Sequence, residues 1–233
     1  MGIVARFKKL LDIIREQGEY NAPVEYHWIS ASENPFGIDI LDISSYTERV
    51  VSLTGDATVA TTFNKFRSTQ GREYIGQEPE ECCSANCRLE YPPIQALQDG
   101  CVFKAATMED KRDIYLFDFR LYFCRSWTGA LAYRANVHSE TDKLRVSQID
   151  YAKPLEDDPL DAVRDVDYLI KSHIYDAVVP HPFPKKAPNN PKQLAIYSFS
   201  NFGRRCRYGS YDDTIKIKIG IGLESRNSNK RMT

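Results

Sequence analysis

The sequence predicts an α+β fold: one domain with a central antiparallel sheet and helices packed on one side. Three observations predict it. Residues 114–151 hold four strand-like runs in succession, and their short connections make neighbouring strands antiparallel. Amphipathic helical stripes at 3–16 and 159–175 lie outside that block. The chain has 233 residues, enough to bury a sizeable core without disulfides or a structural metal. The domain is read as 1–233, with a proline-rich loop at 178–192 as its one candidate linker.

In chain order, Ile3, Phe7, Leu10, Leu11 and Ile14 recur at helical spacing, Gly18 ends the run, and the stripe is expected to dock on the protein's own core. Strands are expected at 24–30 and 38–43. Asp56 is placed to cap a helix over 57–66, with Val59, Phe63 and Phe66 on one face. Residues 67–92 are polar and carry Gly71, Gly76 and Pro79, so they read as a long loop. Pro93 suits the first turn of a short helix ending at Gly100.

The four runs are 114–117, 121–126, 130–137 and 143–151. In the third, Leu131, Tyr133, Ala135 and Val137 share one face, opposite Arg134 and Asn136. Asp158 and Pro159 open the helix at 159–175, whose buried stripe is Leu160, Val163, Val166, Ile170 and Ile174. Five prolines in 178–192 exclude regular helix or central strand. Strands are expected at 194–202 and at 214–223, where isoleucines alternate with lysines, and residues 224–233 read as a frayed tail.

Charge narrows the function. With 31 basic and 32 acidic residues the formal net charge is −1, so neither nucleic acid nor an anionic membrane is an expected partner. No run of about 18 apolar residues is present. The start, MGIVARFKKLL, is too charged for a secretory signal, and Arg6 stands where an acylation motif has Ser or Thr. A cytoplasmic protein with reduced thiols is expected.

The phrase Arg125-Ser126-Trp127-Thr128-Gly129 closes the second run. Alternation puts Leu121, Phe123 and Arg125 on one face, so Arg125 ends an apolar row and needs a carboxylate, a carbonyl or a bound anion. Trp127 adds a flat surface with one N–H donor. Either this is a hairpin corner, or Arg125 and Trp127 grip a planar or anionic ligand. The chain resembles an uncharacterised bacterial family in which this phrase closes a segment like MEDKRDIYLFDFRLYFCRSWTG, residues 108–129. ENPFGIDILDI, SLTGDATVATTF, LEYPPIQALQDGCVFKA and YSFSNFGRRCRYGSYDDTI look like further phrases of that family. The resemblance implies one cooperative unit and supplies no reaction or catalytic residues. It also leads one to expect a Gly-containing turn where this chain has Asp118-Phe119-Arg120, and hence a looser or longer hairpin there.

Other candidates lie apart in sequence. Arg204, Arg205 and Arg207, bracketed by Gly203 and Gly209, form the strongest local charge cluster and suit a phosphate or carboxylate, or else ion pairs with nearby acids. His181, held between Pro180 and Pro182, is a candidate ligand-binding residue or general base. Cys83 and Cys87 have the spacing of one zinc pair, but no second pair accompanies them, so no metal is expected. No P-loop, dinucleotide fingerprint or nucleophile elbow is present, and no cofactor is expected.

The resulting expectation is a cytoplasmic binding or accessory protein for an anionic small molecule, with Arg125 near at least one of the arginines at 204–207. The alternatives are an enzyme on an anionic, ADP-ribose-like substrate and an immunity-type binder of a protein partner.

Overall fold

The computed structural model describes residues 24–52, 57–94, 97–153, 158–187 and 189–220. The expected helix at 3–16, the cap Asp56 and the expected tail at 224–233 lie outside these residues.

The chain folds as α+β. Strands β1 (His27–Ile29) and β2 (Ile40–Asp42) come first, followed by the short helix α1 (Ser44–Thr47) and α2 (Ala57–Arg67). Then come β3 (Cys82–Tyr91), β4 (Gly100–Phe103), β5 (Arg112–Phe117), β6 (Arg120–Arg125), β7 (Leu131–Ser139) and β8 (Leu144–Ala152). The last elements among the described residues are α3 (Pro159–Leu169), β9 (His181–Pro182), α4 (Pro191–Phe202) and β10 (Tyr208–Ser210). β4 to β8 form a meander, and β3 joins at its far edge, giving the antiparallel order β3-β8-β7-β6-β5-β4. A smaller sheet has the order β1-β2-β10-β9, with β9 and β10 parallel.

β5 is buried along its whole length and β6 over its central residues, so both faces of the large sheet are covered. On one face Ile114, Leu121, Phe123 and Tyr133 meet Val166 and Leu169 of α3 and Leu194 and Phe202 of α4 in the main core. On the other, Tyr74, Tyr115, Phe117, Tyr122 and Cys124 form a second, smaller cluster. A bulge in β7 pairs Phe123 with Tyr133 but Cys124 with Leu131. The extra residue, Ala132, flips Leu131 onto the second cluster, away from the Tyr133 face where plain alternation had put it.

Four expectations need correction. Residues 82–91 are a ten-residue edge strand, not loop: Ala85, Leu89 and Tyr91 bury while Cys82, Ser84, Asn86, Arg88 and Glu90 do not. No helix forms among the described residues of 93–100, and β4 starts at Gly100. Residues 194–202 belong to helix α4, because Asn190 caps it by accepting from Gln193 N, Pro191 takes the first turn, and Leu194, Ser198 and Phe202 recur four apart on a buried face. Residues 214–220 form no strand; Ile217 still reaches the core, but Lys171 Nζ captures the carbonyls of Thr214 and Ile215 that a ladder would use.

The hairpin at 118–119 is tight. Phe117 pairs with Arg120, leaving a two-residue turn with φ of 48° at Asp118 and 57° at Phe119. That is a turn with two left-handed residues made without glycine. Among the described residues no helix is long and apolar enough to cross a membrane.

Candidate functional site

Residues 125–129 form a loop tied down at almost every position. Gly129 N donates to Arg125 O at 2.8 Å and Arg125 N donates to Ala130 O at 2.9 Å, closing the turn. Ser126 Oγ donates to Asp110 O at 2.6 Å and Trp127 Nε1 to Met108 O at 2.8 Å. Gly129 has φ of 69°, and a Cβ there would sit 2.0 Å from Phe66 Cζ, so glycine is required twice over. Trp127 covers Lys111, whose Nζ lies 4.1 Å from the Trp127 ring centroid and 4.7 Å from that of Phe199. Burial pushes the Lys111 ammonium down to about 7, against the pull of Glu109. Its Nζ donates to Ser52 Oγ and Met108 O.

Arg125 reaches across to the end of α4, where Nη1 donates to Ser200 O at 2.7 Å and Nη2 to Asn201 Oδ1 at 2.9 Å. Arg112, directly opposite it on β5, donates from Nε to Asn201 O at 3.2 Å. Two guanidiniums therefore hold the negative end of one helix. The part expected of a bound anion beside Arg125 is played by the last carbonyls of α4. Arg112, which the sequence does not single out, emerges only once the cross-strand register is known.

The other arginines divide. Arg204 joins the corner: it bonds Glu109 Oε2 at 2.9 Å, and Glu109 Oε1 accepts from Ser52 N. Gly203 makes this approach possible, since a Cβ there would stand 2.1 Å from Glu109 O. Arg205 turns the other way, onto Asp176, Ser172 O and the face of Phe103. Arg207 faces Glu48 at 3.6 Å, with both side chains about half exposed. The structure thus gathers Arg125, Trp127 and Arg204 around Lys111 and Glu109, and sends Arg205 and Arg207 elsewhere.

His181 is fully buried within rings of Tyr168, Phe183 and Phe202. Burial pulls its pKa down to about 4, and the bond from Nδ1 to Pro182 O works against that. With Nδ1 carrying the proton, Nε2 is a bare acceptor without a partner. A ring so enclosed does not face a solvent-borne substrate. Cys83 and Cys87 lie four residues apart on extended β3, about 13 Å along the strand, too far to share one ion. Among the described residues no cluster of three metal-ligating side chains occurs.

A different surface has the form of a binding site. Trp28 on β1, Asp39 before β2, Lys185, Ala187 and Asn189 after β9, and Tyr211 and Asp212 after β10 line an open cleft of about 590 Å³ at the small sheet. Trp28 is 42% exposed and stacks on Tyr211, itself 38% exposed, with ring centroids 6.0 Å apart and planes 19° apart. Asp39 Oδ1 accepts from Ala31 N and Asp212 Oδ2 from Asp39 N, which holds one oxygen of each carboxylate in place. Sequence reasoning missed this site because its residues come from four separate segments and none forms a motif. The one available signal was a tryptophan on a short strand at the start of the described chain.

No family model matches the chain, and neither a curated protein nor a solved structure matches it.

Proposed function

We propose that this is a non-catalytic binding protein whose ligand site is the Trp28–Tyr211 cleft, and that its ligand is a neutral polyhydroxylated small molecule of the saccharide type. One observation carries the reading: an exposed, stacked Trp–Tyr pair stands beside two fixed carboxylates in one cleft. The rings offer a flat apolar wall for the C–H face of such a molecule. Asp39, Asp212, Asn189 and Lys185 offer acceptors and donors for its hydroxyls. The volume falls within the usual range for small-molecule sites. Two carboxylates against one ammonium disfavour a polyanion in this cleft. Six thiols without disulfide partners support a cytoplasmic setting for this proposal.

The chain has two tryptophans, so a Trp127→Phe variant reports on Trp28 alone. Titration with neutral disaccharides should change its emission saturably, and the change should be lost in Trp127→Phe/Asp212→Asn. No saturable response to any disaccharide would defeat the reading. A second reading, an immunity-type binder of a protein partner, draws on the same exposed aromatic pair, since Trp and Tyr dominate interface hot spots. It is weaker because the exposed large apolar side chains of the described residues stand apart: Phe119, 70% exposed, lies in the β5–β6 turn of the large sheet and Trp28 on the small one.

A further inference from the structure

The most exposed large apolar side chain among the described residues is Phe119, at 70%. It stands in the two-residue turn between β5 and β6, next to Asp118 and Arg120, which are exposed as well. The turn is held firmly. Phe117 pairs with Arg120 beneath it, and Val137 N donates to Phe119 O at 2.9 Å, which ties the tip to β7. Asp118 and Phe119 both have positive φ, a conformation that suits glycine and strains an aromatic residue. The strained tip thus holds one ring out in water, with an anion on one side of it in sequence and a cation on the other. Among the described residues no ion pair within 4.0 Å reaches Asp118 or Arg120.

The Trp28–Tyr211 cleft carries the complementary groups. Its two stacked rings are 42% and 38% exposed. Asp39 and Asp212 supply two anions, and Lys185 supplies one cation, which among the described residues also has no ion pair. The cleft of about 590 Å³ is larger than one aromatic side chain requires. All three rings stay exposed within one chain, so the tip does not fill its own cleft. The tip belongs to the large sheet and the cleft to the small one.

We infer that the partner of this surface is a second copy of the chain: the Asp118-Phe119-Arg120 tip of one copy enters the Trp28–Tyr211 cleft of another. Phe119 lies against the two rings, Arg120 meets Asp39 and Asp212, and Asp118 meets Lys185. Apolar surface on both sides leaves water, and the charges of the tip meet opposite charges in the cleft. Every copy carries one tip and one cleft, so the same two patches serve all copies. The contact uses the cleft proposed above but needs no saccharide in it. A hairpin tip buries well under about 1,200 Å², which places the contact in the weak, transient class.

The test is sedimentation equilibrium of the full chain from about 10 μM to about 1 mM, the range that reads weak contacts. The wild-type mass should rise with concentration. Phe119→Gly, which suits the left-handed turn, should stay at the monomer mass, and so should Asp212→Lys. Mixed in equal amounts, these two variants supply one intact tip and one intact cleft between them. They should form a 1:1 complex and nothing larger. Asp212→Lys gives up the bond to Asp39 N and risks disturbing the cleft, so Lys185→Glu, at an exposed position, is the second cleft variant. It should weaken association at least about tenfold by setting two carboxylates against each other, and it too should pair 1:1 with Phe119→Gly. The inference is overturned if the wild type stays monomeric throughout, if Phe119→Gly associates as the wild type does, or if the mixtures with both cleft variants stay monomeric. Saccharide binding is read separately, from Trp28 emission in dilute protein, so either conclusion can fail without the other.

Discussion

Two buried histidines make the fold sensitive to mild acid, and the size of the effect follows from their environments. Burial pulls His173 down to about 3 and His181 to about 4, whereas a free ring titrates at 6.5. Below pH 6.5 the unfolded rings take protons and the native rings do not. Stability is therefore full above 6.5 and is lost as pH falls toward the native values. Between pH 7 and 5 each ring removes about 2 kcal/mol, about 4 kcal/mol together. Asp167 works the other way: burial raises it to about 6 against the pull of Lys171, so it restores about 1 kcal/mol over the same range. The perturbation that separates them is His173→Leu/His181→Leu, since Asp167 titrates in both proteins and cancels in the comparison. Urea melts at pH 7, 6 and 5 give the free energy at each pH. The wild type should lose about 4 kcal/mol more than the double variant over that range. Equal losses in the two would refute the argument, because these rings would then titrate alike in the folded and unfolded chains.

Three further outcomes are expected. Phe119→Gly should stabilise the protein by about 1 kcal/mol in a urea melt, since it removes a left-handed aromatic residue that is 70% exposed and loses little packing. Gly129→Ala should cost at least about 2 kcal/mol, combining a positive φ with a clash on Phe66. Lys171→Met should cost about 3–5 kcal/mol, because it strands the buried Asp167 carboxylate and frees the carbonyls of Thr214 and Ile215.

The meander was legible because its signals are local. Alternation in 114–151 and short turns fix neighbours without any distant information, and Asp158-Pro159 marks the start of α3 by its own chemistry. Other elements failed where two local signals competed. Ile196, Tyr197 and Phe199 favour strand, and they masked the Asn190-Pro191 start of a helix. The cysteines of β3 drew attention to metal spacing and away from the alternation of Ala85, Leu89 and Tyr91. The Asp118-Phe119 turn is tight although the resemblance implies a Gly-containing one there, because Asp and Phe take the two left-handed positions themselves. The sites were less legible still. The apolar row ending in Arg125 implies a negative partner, but that partner, the end of α4, is hidden in the sequence because 194–202 carries strand-like side chains. The cleft needs Trp28 and Tyr211 together, and nothing local links residues so far apart.

The grip of Arg112 and Arg125 on α4 also has a consequence for the order of assembly. Each turn of the meander joins strands adjacent in the chain, whereas the contacts to α4 close loops of 75 to 89 residues. Loops of that size are slow to close, and helices that arrive across them do so late. Until α4 docks, the sheet presents two facing guanidiniums with no carbonyls to hold, a half-built state that repels itself. Docking is then the step that removes the frustration, and it should lie after the main barrier. Shortening Arg125 to Lys should accordingly speed unfolding and leave the folding rate nearly unchanged in stopped-flow kinetics; a matching loss in the folding rate would place α4 in the nucleus instead.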